Sequence, residues 1–111
     1  MNNDDQIEND AAKLEALYHD ANYCGLEVFA RHFTERYPSV GFGWSVLGVA
    51  LRLQNKDALD AIRRAATLLP SDATAHSNLG DELQAIGRYE EAIDSYLTAI
   101  SIDDRIAEIH N

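Results

Sequence analysis

Four histidines, one cysteine and the carboxylate pairs Glu90-Glu91 and Asp103-Asp104 are the side chains of this 111-residue chain best suited to chemistry, and their spacing argues against each chemistry in turn. His19, His32, His76 and His110 are scattered, with no carboxylate or thiol at the recurring intervals that a zinc site needs. Cys24 stands alone, so it forms no intramolecular disulfide, and no base or second thiol is spaced to activate it. Glu90-Glu91 and Asp103-Asp104 read as helix-terminus residues, where capping and the macrodipole favour carboxylates. The sequence has no Gly-Lys-Ser/Thr phosphate loop, Gly-x-Ser-x-Gly elbow, His-Glu-x-x-His or dinucleotide fingerprint. The expectation is a protein without catalytic residues, metal or cofactor.

Recognition is what remains, and the elements that would present it repeat along the chain. Trp44, Leu47-Gly48, Leu51, Ala58, Ile62, Ala65 and Pro70 are echoed by His76, Leu79-Gly80, Leu83, Ala92, Tyr96, Ala99 and Asp104. A Gly inside a helix costs about 1 kcal/mol of propensity, so Leu-Gly at mid-helix implies close approach of a neighbouring helix. Ala92, Tyr96 and Ala99 fall at i, i+4 and i+7, one face on which Tyr96 fills the gap the alanines leave. Gly87 can end the first helix in a left-handed conformation, and Glu90-Glu91 open the second. His76 takes the place that Trp44 holds one unit earlier, which predicts packing between neighbouring helices.

This ladder, with its period near 34 residues, resembles the tetratricopeptide repeat (TPR). The resemblance implies an all-α fold: a right-handed solenoid of three helix-turn-helix repeats plus a short C-terminal helix. The expected organisation is an acidic disordered stretch at 1–8, a TPR domain at 9–106 with repeats at about 7–40, 41–72 and 73–106, and a capping helix or truncated fourth repeat at 107–111. The middle unit is two residues short between Leu51 and Ala58, so Gln54-Asn55-Lys56-Asp57 is expected to make a tighter turn than its counterpart at Gly87. The first unit, counted back from Pro38, has Lys13-Leu14 in place of Leu-Gly and Leu26 where a small residue is usual. Terminal repeats depart from pattern because one face meets water.

The composition sets limits on partners. The net charge of −10 disfavours nucleic acid and anionic membranes, whose affinity comes from cations, and would steer a basic partner. No apolar run approaches the roughly 20 residues of a membrane span. The polar, acidic Met1–Asp10 is the opposite of a cleavable leader, so a cytoplasmic location is expected.

By the TPR resemblance, the first helices of successive units line a concave surface that receives a peptide or partner protein. The inward-facing candidates are Tyr18 and His19, then Ser45, Val49 and Arg52, then Ser77, Asn78, Asp81 and Gln84. In many TPR proteins an asparagine before the Leu-Gly pair holds the ligand backbone, which a side-chain amide can do by donating and accepting at once. Val46 and Ala12 occupy the equivalent places, and Glu15 and Asp81 stand where a carboxylate-clamping TPR would carry cations. The acidic tails of chaperones are therefore not the expected ligand.

The run Arg36–Gly48, with Ala75-His76-Ser77-Asn78-Leu79-Gly80, is also similar to the N-terminal repeats of bacterial O-linked N-acetylglucosamine transferases of the SPINDLY-like type and of TPR sulfotransferases. That similarity implies an alternative role as the substrate-docking region of a larger transferase. Ala107-Glu108-Ile109-His110-Asn111 reads like the opening of a fourth unit, which leaves Ile93, Leu97 and Ile100 to be covered by a short last helix or by a second copy. An oligomerisation module through the terminal repeat is the third expectation.

Overall fold

The computed structural model describes residues 3–103, and they form six helices in sequence: α1 (Asn3–His19), α2 (Tyr23–Arg36), α3 (Gly41–Leu53), α4 (Leu59–Leu68), α5 (Ala73–Ala85) and α6 (Tyr89–Ile102). Each helix packs chiefly on its neighbours in the chain, so three hairpins stack one on the next in an elongated body of 42 × 29 × 22 Å. The expected capping helix or truncated fourth repeat at 107–111 lies outside the described residues. At the other end α1 takes in residues 3–8, placed by the sequence in a disordered lead. Asp4 and Asp5 sit in its first turn, where the macrodipole favours them, and Ile7 packs against the core.

The three hairpin turns are one motif repeated. The amide of Asn22 donates to the Leu17 carbonyl, that of Lys56 to Leu51 and that of Arg88 to Leu83, each closing the six-to-one bond of a Schellman turn. The residue before each donor is left-handed: Ala21 at φ 57°, Asn55 at φ 60° and Gly87 at φ 84°. This corrects the expectation of a tighter middle turn. Through Lys56 the turn is identical to its counterpart, and the two missing residues come from the start of the second helix. Lys56-Asp57-Ala58 run on without helical structure and α4 spans 10 residues, where α6 starts directly after Arg88 and spans 14.

Glycines mark where helices close on each other. A Cβ at Gly48 would stand 2.4 Å from Ile62 Cγ1, and one at Gly80 2.7 Å from Tyr96 Cε1. The first unit exchanges the sizes: Leu14 occupies the glycine position and Ala30 the position of Ile62 and Tyr96, and both are fully buried. Summed volume is conserved across the hairpin while its polarity of large and small is reversed, which a close-packed core tolerates.

Neighbouring hairpins are tied at a recurring point. Trp44 Nε1–H donates to the Pro38 carbonyl at 2.9 Å, and His76 Nε2 lies 3.1 Å from the Pro70 carbonyl. Both rings thus reach back six residues to the proline that closes the preceding unit. Elsewhere Glu27 of α2 accepts from Lys56 Nζ at 2.8 Å and from Gln54 Nε2 at 3.0 Å, joining the first hairpin to the turn of the second. With Arg31 also bonded to it, the Glu27 carboxyl is held down to about 2, chiefly by Lys56.

Candidate functional site

The first helices of the units lie side by side, and between α1 and α3 they leave an apolar cleft of about 240 Å³. Its walls are Leu14, Glu15, Tyr18 and His19 from α1 and Phe42, Ser45, Val46 and Val49 from α3. The stripe Phe42, Val46, Val49 recurs at i, i+4 and i+7, one face of α3. Gly43 gives α3 room to settle on α2, because a Cβ there would stand 2.4 Å from Phe33 Cδ1. The edge contact between Phe33 and Phe42, with ring centres 6.4 Å apart, then fixes Phe42 at the lip. On the opposite wall Tyr18 leans on Tyr23 and His19. Tyr18 is 49% exposed and Phe42 36%, so two aromatic faces stand open to solvent beside a cleft with little polar lining.

Four of the residues singled out from the sequence, Tyr18, His19, Ser45 and Val49, come together in this cleft. Ser45 also borders a narrow crevice with Ile62, Ala65, Ala75 and Asn78, which places half-buried Asn78 at the junction of α3, α4 and α5. Ser77 is only 7% exposed.

The remaining three belong to a polar cluster farther along. Tyr96 hydroxyl donates to Asp81 Oδ1 at 2.5 Å and lies 3.0 Å from Gln84 Oε1, so both residues fasten α5 to α6. Burial, and then the Asp81 carboxylate, push the Tyr96 phenol up to about 12. Arg52 pairs with Glu82 across α3 and α5, its Nε 3.7 Å from Glu82 Oε2. Arg52 Nε and Nη2 are buried with no hydrogen-bond partner among the described residues, and Glu82 itself is 8% exposed. The face therefore changes character along its length, apolar at α1 and α3, charged and hydrogen-bonded at α5.

Phe42, Val46 and Leu14 were not among the residues picked from the sequence. The signal was present in α3, Gly-Phe-Gly-Trp-Ser-Val-Leu-Gly-Val-Ala-Leu-Arg-Leu, where only Ser45 and Arg52 interrupt an otherwise apolar surface. A helix of that kind in a thin stack cannot bury all its faces, and the surplus must line a surface. Among the described residues no group of three His, Cys, Asp or Glu comes together to hold a metal ion, and no helix is long and apolar enough to cross a membrane.

Residues 73–106, a span that takes in α5 and α6, match the family model of the Tetratricopeptide repeat. The architecture is an all-α solenoid of stacked helical hairpins, consistent with that repeat. Over 63 residues, 55% of its length, the chain is 40% identical to a peroxisomal targeting signal receptor of Candida glabrata. It spans 11% of the length of that relative.

Proposed function

We propose that this chain is a non-catalytic protein-recognition module whose first-helix face holds a segment of a partner protein. The observation that carries the reading is the cleft between α1 and α3, with Tyr18 and Phe42 exposed at its rim. Aromatic side chains bring large contact area at small entropic cost, and a cleft of this volume takes one bulky apolar side chain of a ligand. Beyond it, the half-buried Asn78 amide offers a donor and an acceptor to a peptide backbone. Glu15 at the rim and the surrounding charge of −10 favour basic residues beside that anchor. The match to the Tetratricopeptide repeat and the likeness to a targeting-signal receptor support a role in recognising protein.

Selection of binders from a random peptide display library tests this. Recovered peptides are expected to share one bulky apolar residue flanked by Lys or Arg. Their affinity is expected to fall at least about tenfold, the worth of one well-packed apolar anchor, in the Tyr18→Ser, Phe42→Ser double variant. Asn78→Ala weakens the same peptides without altering helicity. Peptides that bind the double variant as tightly as the parent chain would refute the site.

A further inference from the structure

The outer face of α6 is apolar where the corresponding faces of the earlier units are engaged by the hairpin that follows. Aligning the three Schellman turns and the packed pairs Gly48–Ile62 and Gly80–Tyr96 puts Ile93 at the place of Glu27 and Leu59, and Leu97 at the place of Arg31 and Arg63. Glu27 bonds Gln54 and Lys56, Arg63 bonds Glu91 at 3.2 Å, and Leu59 packs against the core. Those partners arrive 27, 29 and 28 positions later in the chain.

We infer that this face docks on the same face of a second copy of the chain, α6 against α6, in a two-fold dimer. Tyr89, Ile93 and Leu97 recur every fourth residue and are 63%, 56% and 58% exposed. Such a row is the i±4n ridge that interdigitates with an identical ridge when helices cross at about −50°, so the surface is complementary to itself. Inside the chain a following hairpin is held by charge at Glu27 and at Arg63, and Ile93 and Leu97, which stand at those places, carry none. The exposed parts of the three side chains offer on the order of 400 Å² of apolar surface per copy. Doubled, and with a polar rim, this just reaches the roughly 1,000–1,200 Å² of the smallest specific interfaces, which sets a weak dimer in the micromolar range or above. Glu90 and Asp94 beside the ridge, on a chain of net charge −10, repel across the two-fold, whereas Glu91 is paired with Arg63 and Arg88. Salt screens that repulsion, so association strengthens as ionic strength rises.

Sedimentation equilibrium of the 111-residue chain over a wide concentration range is the test. The expected result is a monomer–dimer equilibrium that tightens with added salt and weakens at least tenfold in Leu97→Glu. Val28→Glu, at an equally exposed position on α2, is expected to leave it unchanged. Far-ultraviolet circular dichroism checks that the variants fold, and Ile93→Ser provides a second, uncharged lesion with the same expected direction. In a Cys24→Ser background, Leu97→Cys is expected to cross-link between copies on mild oxidation. A chain that stays monomeric at every concentration, leaving the face for some other occupant, overturns the inference. So does a dimer indifferent to both Leu97→Glu and Ile93→Ser.

Discussion

Replacing Gly80 with alanine sets two opposing effects against each other. Alanine is worth about 1 kcal/mol more than glycine inside a helix, so in an open site the change would stabilise. Here the new methyl would meet Tyr96 Cε1 at 2.7 Å and Cδ1 at 2.8 Å. The ring cannot simply swing away, because its hydroxyl is bonded to Asp81 at 2.5 Å and lies within 3.0 Å of Gln84. Overpacking of a rigid core typically costs about 1–3 kcal/mol, and the loss of the Asp81 bond adds about 1 kcal/mol if the ring does move. The net expectation is a destabilisation of about 1–2 kcal/mol, a fall in melting temperature of about 4–8 °C per kcal/mol for a chain near this size. Urea unfolding followed by far-ultraviolet circular dichroism measures it. In a Tyr96→Ala background the same Gly80→Ala change is expected to reverse sign and stabilise by up to about 1 kcal/mol, since only helix propensity remains. If Gly80→Ala stabilises the parent chain, or costs as much with Tyr96 removed, then close approach of α6 is not why position 80 lacks a side chain.

Ala21 holds a left-handed backbone that costs a non-glycine residue about 1–2 kcal/mol, so Ala21→Gly is expected to raise stability by about 0.5–1 kcal/mol after the added freedom of the unfolded chain, measured by denaturant midpoint. Trp44→Phe removes the donor to the Pro38 carbonyl and should cost about 0.5–1.5 kcal/mol in the same assay, beyond any effect of ring size. Glu27, held down to about 2 by Lys56, Arg31 and Gln54, contributes stability that is present above the ordinary carboxylate value of 4.5 and lost as pH falls toward 2. Thermal melts should therefore show the parent chain more stable than Glu27→Gln at neutral pH, with the gap closing through that acid window; a gap independent of pH would refute the linkage.

Much of the stack could be read from residue spacing. The mid-helix glycines, the αL position at Gly87 and the equivalence of Trp44 with His76 each correspond to a specific packing need, and each appears in the structure as an approach too close for a Cβ, a positive φ or a ring-to-carbonyl bond. The middle turn was misread because Asn55 and Ala21 do the work of a glycine, and counting residues between landmarks cannot say whether a deletion shortens a turn or a helix. The cleft was only half legible. Tyr18 and Val49 stand out by position, whereas Phe42 and Val46 line it because α3 has more apolar faces than the stack can cover. Asp81 and Gln84 look like ligand contacts along the helix, yet their partner Tyr96 is far away in sequence and is brought to them by the hairpin itself.

The most direct test of recognition through the first helices is a two-dimensional amide NMR titration of the labelled chain with a display-selected peptide. The account predicts that the resonances moving are those around Tyr18, Phe42, Val46 and Val49, while Ile93 and Leu97 on α6 stay still. Shifts centred on α6, with α1 and α3 unchanged, would contradict it.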